Sequence, residues 1–108
     1  YDSDKFGGLH RDRFAEALRA EGVPCGNYGV PLYKQPAFQR EKLAALLPES
    51  SKPWPDYENM VLPAAERFCA DEQILLPHWL LLSDPADLEI ILDAVAKIKN
   101  NVDELLAT

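Results

Sequence analysis

Prolines set the first limit on this chain. Six of its nine lie between Pro24 and Pro55, at positions 24, 31, 36, 48, 53 and 55. Each lacks a backbone N–H and clashes with the preceding helical turn, so the middle of the chain is cut into pieces that cannot form a long helix. Only Phe38 to Leu47 keeps helical character there, with Phe38, Leu43, Leu46 and Leu47 as its apolar members. Pro48 to Asn59 reads as a surface loop pinned by Trp54 and Tyr57, with Ser50 and Ser51 in it and no histidine nearby.

The regular elements are therefore expected on either side. Phe14, Ala17 and Leu18 fall at helical spacing between charged neighbours, which predicts a helix from Arg11 to Glu21. His10 stands at its cap, Leu9 can staple its start, and Gly22 sits where a left-handed stop is wanted. Val23 to Tyr28 reads as a short edge strand weakened by glycine, and Gln73 to Leu76 as a buried strand ended by Pro77. Pro63 suits the first turn of a helix running to Ala70, with Ala64, Ala65, Phe68 and Cys69 inward.

The clearest element comes last. Asp84 is a capping residue, Pro85 fits the first turn, and Leu88, Ile91, Leu92, Val95, Ile98, Val102, Leu105 and Leu106 form a stripe. A rod of about 22 residues, roughly 33 Å long, is expected, with Asn100-Asn101 as the place to bend. Alternating helices and strands predict an α/β (α+β) layer, a short antiparallel sheet with helices packed on it. Two strands alone make a marginal sheet, so a third is expected outside these residues.

The 108 residues carry 18 acids and 11 bases, a formal charge of −7. That sign repels phosphate backbones and anionic lipid, so neither nucleic acid nor a membrane is expected as a partner. The longest mostly apolar run, Ile74 to Leu82, is nine residues and is broken by Pro77 and His78. A bilayer span needs about 20. Cys25 and Cys69 are too few and too far apart for a disulfide framework or a zinc site, and read as buried thiols in a reducing, cytoplasmic setting. The opening Tyr1-Asp2-Ser3-Asp4 has neither the basic start nor the apolar core of a signal peptide, and its lack of Met suggests a fragment or processed product.

No nucleophile with a base, no metal-ligand spacing and no phosphate loop can be read from the chain, so no metal is expected. Two segments remain. Glu21 to Phe38 holds a proline-framed loop with Tyr28, Tyr33, Lys34 and Gln35, amphipathic side chains that suit either a ligand rim or the anchoring of a coil. Leu75 to Leu82 places His78 directly after the expected buried strand, where it can serve a site or hold structure.

In this order the segments resemble the C-terminal part of the DegT/DnrJ/StrS family of pyridoxal-phosphate-dependent sugar and cyclitol aminotransferases. The resemblance is carried by Gly7-Gly8-Leu9, Arg11-Asp12-Arg13-Phe14, Leu18 to Pro24, Tyr28, Pro31-Leu32-Tyr33 and Gln35-Pro36-Ala37-Phe38. It continues through Leu62-Pro63, Ala65-Glu66, Leu76-Pro77-His78, Leu81-Leu82, Asp84, Asp87-Leu88, Ile91, Ala94 and Lys97-Ile98. Only Gln39 to Met60 falls outside it. The Pro-His and Leu-Leu pair looks most like the enzymes of aminocyclitol and aminoshikimate-type precursors.

The resemblance implies that residues 1–108 are the small C-terminal domain of a fold-type-I aminotransferase. The large domain, with the Schiff-base lysine that holds pyridoxal 5'-phosphate, would lie outside this chain, which alone would be inactive and without cofactor. The parent would be a cytoplasmic homodimer that moves an amino group from glutamine or glutamate to a nucleotide-linked keto-sugar or a keto-cyclitol. Tyr28, Tyr33, Gln35 and His78 would line the substrate side. Lys34, although in the motif loop, would not be the cofactor lysine. Many family members carry His where this chain has Tyr33, and Tyr keeps the hydrogen-bonding tip without the near-neutral titration. A sugar dehydratase of the same family is the near alternative. A free-standing acidic interaction module, docking through its last helix, is the distant one. Removal of a strand from the sheet would also leave an edge open to self-association.

Overall fold

The computed structural model describes residues 1–48 and 52–108, so Ser50 and Ser51 and that part of the expected loop lie outside the described residues. The chain forms two compact units, one of Tyr1–Asn27 with Asp71–Thr108 and one of Tyr28–Ala70.

The first unit is built on α1 (Arg11–Ala20) and on the two C-terminal helices, α4 (Pro85–Asn100) and α5 (Val102–Leu106). His10 caps α1 through Nδ1, which accepts the Asp12 N–H at 3.2 Å. At the other end Gly22 turns left-handed, at φ 88°. Its N–H donates to Arg19 O at 3.0 Å, while the Val23 N–H reaches back to Leu18 O at 3.1 Å. These paired bonds satisfy carbonyls that a helix end leaves open, and they bring buried Val23 beside buried Leu18. Leu9, Phe14, Leu18, Val23, Ala94 and Ile98 form the core of this unit. The rings of Tyr1, Phe6 and Phe14 close one side of it, with centroids 4.8–5.1 Å apart.

The long terminal rod is interrupted. Pro85 opens α4 and Asp84 stands at its cap position, but the Asp84 side chain makes no capping bond; its backbone carbonyl takes the Asp87 and Leu88 N–H groups instead. Asn101 leaves the helix at φ −117°, ψ 24°, and its side-chain amide donates to Lys97 O at 2.8 Å. The bend therefore falls at the expected Asn100-Asn101, and α5 restarts one residue later. Leu88, Ile91, Val95, Ile98, Val102 and Leu105 face inward at least partly. Leu92 and Leu106, counted in the expected stripe, are 68% and 49% exposed.

The expected α/β (α+β) layer is not what forms. Among the described residues there is no strand and no sheet, and the regular elements are helical. The two segments expected as strands meet at one antiparallel bridge: Gly26 N donates to Leu75 O at 3.0 Å and Leu75 N to Gly26 O at 2.8 Å. In an antiparallel ladder the next exchanging pair lies two residues away on each chain. On one side that pair is Pro24 opposite Pro77, neither of which has an N–H to give. On the other side is Gln73, whose carbonyl is taken by buried Arg11 through Nη1 at 2.8 Å. Pairing stops after one step, and the proposed edge for self-association has no strand to run along among the described residues.

The second unit consists of short pieces, as the prolines require. Two 3-10 turns, Leu32–Lys34 and Pro36–Phe38, lead into α2 (Arg40–Leu46). α3 (Pro63–Arg67) begins at Pro63 as expected and continues into a π-helical turn, Phe68–Glu72. Of the four side chains expected inward there, Ala65 and Cys69 are half-buried while Ala64 and Phe68 are exposed. Trp54 and Tyr57 are both half-buried, and Tyr57 meets Phe38 edge to face with centroids 5.3 Å apart. No helix among the described residues is long and apolar enough to cross a membrane.

Candidate functional site

The polar cluster of the second unit is centred on Tyr33. Pro31 leads into the Leu32–Lys34 turn, whose tight winding turns Tyr33 inward and leaves Leu32 and Lys34 out. Tyr33 is 7% exposed, so its hydroxyl must find partners inside the protein. It donates a short hydrogen bond to the Glu66 carboxylate and accepts the Leu62 N–H at 3.2 Å. Lys34 Nζ approaches the same carboxylate oxygen at 3.1 Å. Pro63 places Glu66 in the first turn of α3, and the Glu66 N–H itself bonds back to Leu62 O at 3.0 Å.

These contacts push the two acids apart. Burial and the bond to Glu66 raise the Tyr33 phenol above its ordinary value. The Tyr33 hydroxyl, followed by the Lys34 ammonium, holds the Glu66 carboxyl below the ordinary carboxylate range. At neutral pH the arrangement is a neutral phenol held against a carboxylate that a cation also neutralises. It positions and hydrogen-bonds; it offers no group with a pKa near neutrality for proton transfer.

The residues expected to line a substrate divide between the units. Tyr28, Tyr33 and Gln35 belong to the second unit and His78 to the first. Tyr28 is 70% exposed, and its carbonyl accepts the Val30 N–H at 2.8 Å. Gln35 is half-buried between the two 3-10 turns, with its N–H on Leu32 O and its carbonyl on the Phe38 N–H, both at 3.0 Å. His78 is exposed and opens the 3-10 turn His78–Leu82. Glu66 was not singled out from the sequence. An acid in a first helical turn reads as a dipole partner, and nothing in local spacing links it to a tyrosine 33 residues earlier.

The chain's lysines do not fit the anchoring of pyridoxal phosphate. Lys5, Lys34 and Lys97 are each paired with a carboxylate and are 73%, 45% and 62% exposed. The Lys52 and Lys99 ammonium groups lie 5.1 and 6.0 Å from the ring centroids of Trp54 and Phe6, and Lys42 is exposed on α2. An imine-forming lysine needs a neutral amine shielded from water, which none of these sites provides.

Among the described residues, the cluster around Tyr33 is a hydrogen-bonded positioning arrangement. Comparison with known proteins gives the chain its relatives. Across 97% of its length the chain is similar to three proteins named as L-glutamine:3-amino-2,3-dideoxy-scyllo-inosose aminotransferase. They come from Streptoalloteichus tenebrarius at 36% identity, Micromonospora echinospora at 33% and Streptomyces kanamyceticus at 34%. The chain is homologous to the C-terminal part of these aminotransferases and spans about a quarter (26%) of their length. No family model and no solved structure matches it.

Proposed function

We propose that this chain is the C-terminal part of a pyridoxal-phosphate-dependent aminotransferase that moves an amino group from glutamine to a keto-cyclitol. The observation that carries the reading is the 33–36% identity, spread over 97% of the chain, to proteins named for that reaction. Those names favour transamination over the dehydratase alternative, and a cyclitol over a nucleotide-linked sugar. They also weigh against a free-standing interaction module, which has no reason to keep such identity along its whole length. The reading carries with it a DegT/DnrJ/StrS-type parent, cytoplasmic and homodimeric.

The cofactor would supply the imine chemistry from residues outside 1–108, since the lysines here do not fit it. The part left to this chain is to shape one side of the substrate site. Tyr33, clamped by Glu66, fixes the course of the loop from Tyr28 to Gln35, and of the side chains expected to line the substrate, Tyr28 is exposed and Gln35 half-buried.

Two measurements on the full-length protein carrying this sequence test the reading. Borohydride reduction with pyridoxal phosphate should place a phosphopyridoxyl mass on a lysine outside residues 1–108. Incubation with glutamine and 3-amino-2,3-dideoxy-scyllo-inosose should yield the amine. A protein that takes up no cofactor, or that aminates no keto-cyclitol, would defeat the proposal.

A further inference from the structure

From Ile74 to Leu82 the chain carries no ionisable side chain except His78, although 27% of its residues are charged. The last five of these residues wind into the 3-10 turn His78–Leu82 of the first unit. Leu80 packs against the core and holds the turn in place. Its N–H donates to Pro77 O at 3.1 Å and its carbonyl accepts the Ser83 N–H at 3.3 Å. The other apolar side chains are left outside: Trp79 is 57% exposed, Leu81 56% and Leu82 81%. Three residues complete a turn of 3-10 helix, so Trp79 and Leu82 stand on the same side of it. An indole and two leucines held in water on one short turn, with no acid or base beside them except His78, have the composition of a contact anchor rather than of a solvated loop.

Three occupants compete for such a face: a small polar ligand, a second copy, or polypeptide outside residues 1–108. A hydroxylated ligand needs hydrogen-bonding partners, and the side chains of Trp79, Leu81 and Leu82 offer a single N–H between them. A second copy brings one net charge of −7 toward another, which opposes association. Polypeptide of the same molecule has neither handicap, and being tethered it loses little of the freedom that two separate molecules give up on meeting. The relatives show the length such polypeptide can have. This chain matches their C-terminal part and spans 26% of them, so about three quarters of each relative precedes or surrounds the matched part. Tyr1 also lies close to the turn. Its N donates to Glu72 O at 2.8 Å, and Trp79 follows Glu72 by seven residues, at most about 25 Å of extended chain. Residues that precede Tyr1 therefore enter the first unit within reach of Trp79.

We infer that Trp79, Leu81 and Leu82 form the anchor by which this part of the protein docks on an apolar surface of the polypeptide that precedes Tyr1 in the same subunit. The inference rests on the proposed function in one respect, that the parent has the length of its relatives; the reaction and its substrate do not enter it.

The test uses the unsubstituted full-length protein, so no variant has to fold. Hydroxyl-radical oxidation followed by peptide mass spectrometry reads the rate at Trp79 in the native protein and again in urea. A Trp79 as open as this structure leaves it should react within about threefold of its unfolded rate, whereas a docked one should react at least about tenfold more slowly. Photo-leucine incorporated in place of leucine then identifies what covers the turn, in protein reassembled from light and ¹⁵N-labelled subunits. Slow oxidation of Trp79, with cross-links from Leu81 or Leu82 to peptides preceding Tyr1 of the same isotope, is the expected result. Oxidation near the unfolded rate would overturn the inference. So would protection with cross-links only between isotopes, which gives the face to a second copy, or protection with no cross-link to the preceding polypeptide. Cofactor uptake and amination report on the proposed function separately. An active aminotransferase with an open Trp79 costs only this inference, and a protected Trp79 in a protein that aminates nothing costs only that function.

Discussion

The Tyr33 hydroxyl donates to the Glu66 carboxylate across 33 residues, and the same hydroxyl accepts the Leu62 N–H that precedes α3. One side chain therefore ties the 3-10 turn of the motif loop to the start of a helix. Either partner alone should be expendable only at the cost of the other. Tyr33→Phe strands a carboxylate that Lys34 then has to neutralise by itself, and Glu66→Gln weakens a charge-assisted bond. Both single variants should lower the thermal unfolding midpoint. The double variant should unfold no earlier than the weaker single one, because the two changes remove one interaction. Additive losses in a four-way comparison would show that the pair is not coupled.

In the full-length protein the same tie should matter for catalysis. If the clamp holds the Tyr28–Gln35 loop against a substrate, loosening it costs orientation rather than chemistry. Under the proposed function, Tyr33→Phe should lower kcat/KM for the keto-cyclitol about three- to tenfold, and the first half-reaction with glutamine should change less. Steady-state and half-reaction kinetics read the two separately. An unchanged kcat/KM would remove Tyr33 from the substrate side.

The opposed pKa shifts make a prediction about pH. Glu66 is held below the ordinary carboxylate value of about 4.3, so its contribution is present above that value and is lost as pH falls through the lowered one. Tyr33 is raised above the ordinary phenol value of about 10. Its contribution is present below that value and is lost as pH rises through the raised one. Unfolding midpoints recorded against pH should show Glu66→Gln flattening the acid limb and Tyr33→Phe flattening the alkaline limb. Curves that stay parallel to the parent chain at both ends would contradict the assignment.

The core of the first unit offers a simpler test. Leu18 is 2% exposed, touches the same cluster as Ile98, and sits at the turn where Val23 N–H bonds to its carbonyl. Truncating it removes buried methyl groups and leaves a void beside the helix stop. Leu18→Ala should destabilise the chain by about 2–5 kcal/mol in urea unfolding. Leu92→Ala, on the α4 stripe of Ile98 by spacing yet 68% exposed, should cost less than about 0.5 kcal/mol.

Leu18 and Leu92 also show what the sequence makes legible. Helical periodicity marks α1 and α4 because each carries its own start and stop signals, His10 with Gly22 and Pro85 with Asn101. It cannot show how wide the buried face is, so Leu92 and Leu106 look like core until a partner surface is known. The strand readings fail for a different reason. Val23 to Tyr28 and Gln73 to Leu76 are extended and do meet, but whether two extended segments become a ladder depends on register, which is a property of the pair. The Tyr33 clamp is hidden likewise: the motif loop is visible as a proline-framed segment, whereas its partner Glu66 is visible only in three dimensions.

Register gives the last prediction. Gly26 and Leu75 exchange two hydrogen bonds, and the next exchanging position sets Pro24 against Pro77. Two absent N–H groups, rather than unsuitable side chains, end the pairing there. Restoring both donors with Pro24→Val and Pro77→Val should lengthen the ladder by one exchanging pair, since β-branched residues favour the extended backbone. Amide hydrogen exchange should then show two newly protected N–H groups, at 24 and 77, beside those of Gly26 and Leu75. Replacing only one proline supplies one donor and should protect one amide. Rapid exchange at both positions in the double variant would mean that something other than proline limits the pairing on that side of the bridge.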